Sequence, residues 1–190
     1  MGHLTDKPYI HHDNILPLIS NLNVALCNQY GNQLKHFNML IVGGAALALK
    51  YNFRMTVDID ADIDFTGAIT DAINAAAYAN NIPTDWLNWG FMNTYSYSRR
   101  LWNNAIFVTA IGYINVYVVN DIDQLCMKAA SGRTKDLKDI VFLTGKVCNS
   151  GITYSLFTKE FEFLYGDSTS IKYSVRKKVE QEFKKHKMFM

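Results

Sequence analysis

Nine consecutive residues, Val57-Asp58-Ile59-Asp60-Ala61-Asp62-Ile63-Asp64-Phe65, alternate without a break between apolar and acidic side chains. A period of two sends neighbouring side chains to opposite faces of an extended strand, so the spacing predicts a β-strand with one apolar and one acidic face. The apolar face requires a core to cover it. Four like charges along the other face repel one another, an unfavourable arrangement that a nearby cation would relieve.

The rest of the chain can supply that core. Of its 190 residues 49% are hydrophobic and 13% aromatic, and the charged fraction is 19%, which excludes a disordered or low-complexity protein. Lys and Arg number 19 against 17 Asp and Glu, a net charge of +2, so binding of nucleic acid by bulk charge is not expected and any charge-based role must be local. The longest apolar run, near Ile106–Ile111, falls far short of the roughly 18–20 residues of a membrane span, and no membrane partner is expected. The segment Met1–Asp6 lacks the apolar core of a signal peptide and the Ser or Thr of a myristoylation signal, so a cytoplasmic protein is expected. Cys27, Cys126 and Cys148 are odd in number and widely spaced, as expected of reduced thiols. The five histidines form no zinc pattern, so any metal would need oxygen ligands.

Periodicity divides the chain into elements. Ile15, Leu18, Ile19, Leu22, Leu26 and Tyr30 predict an amphipathic helix behind a cap at Asp13. A short strand over Met39–Val42 stops at Gly43-Gly44, and Ala45–Lys50 is helix-forming, so the glycines mark a strand-to-helix turn. A helix is expected over about Thr70–Asn80, capped by Thr70. Ala105–Ile111 and Ile114–Val119 read as two strands joined by Gly112-Tyr113. From Asp121 onward the chain is mostly helical, opened by a capping box of Asp121 and Gln124. Residues 172–187 hold seven bases against Glu180 and Glu182, and Ile171, Val175, Val179 and Phe183 recur at four-residue steps. That pattern is a helix docked by one apolar side, with a Lys-rich side that is either solvated or faces a polyanion.

The pairing of Gly43-Gly44 with Asp58-Ile59-Asp60, with thirteen residues between them, carries the chemistry. A Gly-Gly at a helix start lets backbone amides approach an anion, and phosphate is the natural guest. Residues i and i+2 of a strand share a face, so the carboxylates of Asp58 and Asp60 can together hold hard divalent cations. For Asp62 and Asp64 solvation at a strand edge or loop is expected. Arg54 and Thr56, just before the strand, either reach a substrate or sit on an exposed loop. Arg99-Arg100 among Tyr95, Tyr97 and Trp102 reads either as a stacking surface for single-stranded nucleic acid or as ordinary sheet packing.

Val42-Gly43-Gly44, the thirteen-residue spacer and Asp58-Ile59-Asp60 resemble the signature of the DNA polymerase beta-type nucleotidyltransferase superfamily. With Trp86-Leu87-Asn88 and the block Lys128-Ala129-Ala130-Ser131-Gly132-Arg133-Thr134-Lys135-Asp136-Leu137-Lys138-Asp139-Ile140, the chain is similar to minimal bacterial nucleotidyltransferase-like proteins related to the AbiEii abortive-infection toxins. The resemblance spans residues about 38–143. It implies an α/β (α+β) fold, a small mixed sheet flanked by helices, over residues 1–146, with a helical part over 147–190 packed on it. It also implies Mg²⁺, in a two-metal site, and a nucleoside triphosphate. Asp58 and Asp60 would be metal ligands and Gly43 and Gly44, with Thr56 and Arg133, would contact nucleotide. Lys128 would stabilise charge and Asp136 would orient or deprotonate the acceptor. The expected acceptors are RNA, tRNA included, or protein, with an antitoxin as a further partner. Two departures stand out: neither later strand contains the Asp or Glu that the superfamily places there, and Trp89 follows Asn88 where an acid is usual. The competing expectation is a nucleotide-binding or partner-binding module that has lost catalysis.

Overall fold

A computed structural model describes residues 9–189; the expectations that rest on Met1–Asp6, His3 and Pro8 lie outside the described residues. The chain forms two compact units. The first extends to Gly90 and takes in Ile106–Val118, and the second comprises Phe91–Ala105 and everything described from Val119 onward.

The first unit is built on a mixed sheet of β1 (Phe37–Ile41), β2 (Ile59–Ile63), β3 (Leu87–Asn88), β4 (Ile106–Ile111) and β5 (Ile114–Val118), in the order β3-β2-β1-β5-β4. β1 runs antiparallel to β2 and parallel to β5; β3 is parallel to β2, and β4 and β5 form an antiparallel hairpin. Helices α1 (His12–Tyr30), α2 (Gly43–Tyr51) and α3 (Thr70–Asn80) flank it. Met39, Leu40, Ile41, Ile59 and Ala61 of the central strands and Ile15, Ile19, Leu22 and Leu26 of α1 are fully buried, and together they form the core that the alternating strand requires. This is the mixed α/β architecture expected from the sequence.

β2 is five residues long rather than nine, and side chains capture the backbone at both of its ends. The Thr56 hydroxyl donates to the Asp58 carbonyl at 2.9 Å, bending the chain before the ladder begins. At the far end the Asp64 carboxylate accepts from the Asn38 amide at 2.5 Å and from Asn38 Nδ2 at 2.8 Å. Asp62, expected at a solvated edge, is only 8% exposed and lies inside the ladder, opposite Leu40 of β1.

Two caps differ from expectation for the same reason, a boundary one or two residues earlier. Asp13 lies inside the first turn of α1, behind His11, and Thr70 is the first residue of α3, behind Ile69. Acids in first turns still favour the helix dipole, as Asp13 and Asp71 do. The β4–β5 turn is the expected two-residue one. Gly112 at φ +57 supplies the left-handed backbone, and any side chain there would collide with Asn23, whose Oδ1 accepts from the Tyr113 amide at 2.9 Å.

The second unit contains α4 (Asp121–Ser131), α5 (Leu137–Asn149), α6 (Tyr154–Tyr165) and α7 (Tyr173–Lys185). Asn120, not Asp121, caps α4: its side chain accepts from the Asp123 amide at 2.8 Å. Phe157 and Phe161 of α6 and Phe183 of α7 are fully buried; Val175 and Val179 lie with Phe183 on the inner side of α7, and Ile171 is buried just before it, as the four-residue spacing predicts.

α4 buries an acid, Asp123, with no measurable exposure. Burial, then the charge and hydrogen bond of Glu160, push its carboxyl up from 3.8 to about 7, against opposing hydrogen bonds from Asn104 and Asn120. Asp123 Oδ1 and Glu160 Oε1 are both buried without a hydrogen-bond donor. A raised folded-state pKa means that the native protein holds a proton the unfolded chain releases. Stability is then expected to fall as pH rises from about 4 to about 7, by up to about 1.4 kcal/mol per unit, and to level off above. Denaturation midpoints across that window should show the slope in the native sequence and its loss in Asp123→Asn.

Candidate functional site

The strand-to-helix turn and the start of β2 meet in the first unit. Gly43 opens α2 at φ +65, a conformation that L side chains avoid, and a Cβ built on it would lie 3.0 Å from Asp60 Oδ2. The half-buried Asp60 carboxylate therefore lies directly beside the double-glycine turn. A main-chain bond from the Val42 amide to the Asp60 carbonyl, 2.9 Å, ties the two segments at this point. Across the sheet Asp60 pairs with Asn88 of β3. Asn88 Oδ1 accepts from the Gly90 amide at 2.7 Å, which turns its Nδ2 toward Asp60 Oδ1 at 3.3 Å.

Gly44 has its own neighbours. A Cβ on it would lie 3.0 Å from Thr56 Oγ1 and 3.3 Å from Arg54 Nη2. Thr56 is 5% exposed and is held by reciprocal main-chain bonds with Ile10, at 2.6 and 3.1 Å. Arg54 is exposed, and its Nε donates to the Met55 carbonyl at 3.3 Å. Asp58 is half-buried in the bend before β2, outside the ladder, so the strand geometry that pairs it with Asp60 holds only from Ile59 on.

The fit at Gly43 makes its substitution informative. Gly43→Ala combines a left-handed backbone with a crowded Cβ, and should lower stability by about 1–2 kcal/mol while displacing the Asp60 carboxylate. A denaturant midpoint equal to that of the native chain would show that the turn relaxes without cost.

The later candidates cluster in the second unit. Lys128 Nζ lies 2.8 Å from Asp136 Oδ1 and 2.9 Å from Asp139 Oδ2, and all three side chains are 6% exposed or less. Arg133 Nε, on a half-exposed side chain, meets Asp136 Oδ2 at 2.7 Å, and the Ser131 hydroxyl donates to the same oxygen at 2.7 Å. Burial raises the Asp136 carboxyl, but the Lys128 charge and hydrogen bond, with those of Arg133 and Ser131, outweigh it and hold the group below its ordinary value. Its linkage has the opposite sign to that of Asp123: the stability it contributes is lost as pH falls through the carboxylate range. Lys128, Arg133 and Asp136 are thus joined in one network, whereas Lys135 and Lys138 remain exposed.

Sequence reasoning gave no role to Asn88, Asp139 or Ser131. Asn88 was visible only as the end of Trp-Leu-Asn, and its contact with Asp60 depends on strand register. Asp139 carries a usable signal: it lies one helical turn after Asp136, so both acids can face one buried base.

The carboxylates of Asp58 and Asp60 are hard oxygen donors, the class that magnesium takes, so these residues suit that ion. Among the described residues no group of three or more His, Cys, Asp or Glu is placed to hold a metal. Nor, among them, is any helix long and apolar enough to cross a membrane.

Neither a curated protein nor a solved structure matches the chain significantly. The family described as "Nucleotidyltransferase of unknown function (DUF6036)" matches residues 22–187, which include both the glycine turn with its aspartates and the Lys128 network. With a match over most of its length, the chain belongs to that nucleotidyltransferase family.

Proposed function

We propose that the chain transfers a nucleoside monophosphate from a nucleoside triphosphate to an acceptor hydroxyl on RNA or protein, in the manner of the AbiEii-related toxins that its motifs resemble. The reading rests above all on the approach of the Asp60 carboxylate to Gly43 at the head of α2. That placement sets an acidic oxygen next to backbone amides suited to phosphate.

In this reading Asp58 and Asp60 hold magnesium, which when bound would draw charge from the phosphates and favour ionisation of the acceptor hydroxyl. The first-turn amides at Gly43 and Gly44 bind phosphate oxygens, with Thr56 bracing the turn. The acceptor oxygen forms a bond to the α-phosphorus, the bond from that phosphorus to the bridging oxygen breaks, pyrophosphate leaves, and the hydroxyl proton passes to solvent. In the second unit Arg133 is held at Nε by Asp136, with a half-exposed side chain suited to an anion. Because Asp136 accepts from three side chains and is held ionised by Lys128, we assign it and Lys128 positioning roles rather than that of a base.

Purified protein incubated with Mg²⁺, α-labelled triphosphates and mixed RNA and protein acceptors should move label to one acceptor class and release pyrophosphate. A second reading, a nucleotide-binding module without catalysis, is favoured by the lack of Asp or Glu in β4 and β5. Metal-dependent triphosphate binding with no label transferred would establish it and overturn the first. Growth arrest on expression, relieved by Asp58→Ala, would mark the transferase as a toxin and direct the search to an antitoxin.

A further inference from the structure

Two surfaces with a nucleic-acid flavour are far apart in sequence, the aromatic stretch around Arg99-Arg100 and the basic segment Lys172–Lys187, yet both lie in the second unit. They are joined there. Tyr95, 60% exposed, donates its hydroxyl to Ser170 Oγ at 3.2 Å, on the turn that leads into α7. Three residues further on, Tyr173 is 65% exposed, with the Arg176 guanidinium 5.9 Å and Lys177 Nζ 5.5 Å from its ring centroid. Lys172 lies against the α4–α5 turn, since a Cβ on Gly132 would be 3.5 Å from Lys172 Cβ, and Arg133 follows on that turn. Arg100 is engaged otherwise, with its guanidinium 4.7 Å from the Phe163 ring and donating to the Phe163 carbonyl.

We propose that this face of the second unit binds single-stranded nucleic acid, with bases stacking on Tyr95 and Tyr173 and the backbone following Lys172, Arg176, Lys177 and Arg133. Exposed aromatic rings among cations are what a single strand requires, because every unpaired base offers a π-face and every linkage a charge. A duplex keeps its bases stacked on one another and cannot use the rings. An anionic membrane is a poorer fit, since the apolar residues of α7, Val175, Val179 and Phe183, are buried within the unit and none is left to insert. Glu180, 3.4 Å from Lys177, moderates the charge of the patch without reversing it. The surface needs neither the aspartates nor a metal, so it stands or falls apart from the transferase proposal.

The test is fluorescence anisotropy of labelled oligouridine with the full chain, without Mg²⁺ or triphosphate. Saturable binding is expected, weakening between about 50 and 200 mM salt with a logarithmic slope of about −2 to −3. Tyr173→Ala should weaken it about tenfold with the slope unchanged, and Tyr173→Phe should leave it intact. Arg176→Gln with Lys177→Gln should flatten the slope by about 1.4. Absence of saturable binding, insensitivity to both the Tyr173→Ala and the paired glutamine variants, or equal affinity for a blunt duplex would overturn the proposal. So would tighter binding to phosphatidylserine vesicles through the same residues. If Tyr173→Ala melts early, the glutamine pair, which leaves the inner side of α7 untouched, decides the matter.

Discussion

Lys128→Ala is expected to destabilise the second unit by about 3–5 kcal/mol, a large part of the roughly 5–15 kcal/mol that holds a typical domain folded. The ammonium is the shared counter-charge of two carboxylates that are each 2% exposed on their side chains. Removing it takes from Asp139 its ion-pair partner, and leaves Asp136 with Arg133 and Ser131. The loss should appear as a lower denaturant midpoint, followed by a signal from the helical unit such as far-ultraviolet circular dichroism. Combining Lys128→Ala with Asp139→Asn should recover part of it, since the second change removes one of the two buried carboxylate charges that Lys128 balances. A loss under about 1 kcal/mol would mean that the fold does not depend on this ion network. The result also governs how any kinetic study of Lys128 is read, because activity lost through unfolding says nothing about the reaction.

Asp60→Asn should do the reverse, leaving the fold in place and removing transfer. Asparagine keeps the size of the side chain and an oxygen able to accept from Asn88, so stability should change by no more than about 1 kcal/mol. It gives up the charge that faces Gly43, and with it a ligand for a cation. Label transfer should fall by about 10³-fold or more if the proposed reaction is correct. A variant that folds, binds triphosphate and transfers at the native rate would remove Asp60 from the chemistry and the transferase reading with it.

What the sequence makes legible here is what local pattern controls. The bounds of α3, Thr70–Asn80, follow from an alanine-rich periodic stretch, and the β4–β5 hairpin from two apolar runs around a glycine. The glycine turn and Asp60 are also readable together, because one motif encodes both and a single sheet brings them side by side. The length of β2 is not readable, since it is set by Thr56 and Asp64 capturing backbone groups rather than by alternation. The surroundings of Lys128 were half legible. An apolar helix signals a buried base, but its partners come from the turn and helix that follow, and only the packing of α4 against them shows that both acids are used. The meeting of Tyr95 with Ser170, 75 residues apart, leaves no trace in local pattern at all.

The hairpin Ile106–Val118 completes a sheet whose other strands all precede Gly90. No single scission can therefore release either unit whole. A fragment ending at Gly90 would leave the hydrogen-bonding edge of β1 bare where β5 belongs, an open invitation to self-association. During synthesis that edge must wait for 77 further residues to leave the ribosome, counted from Ile41 to Val118, before it is covered.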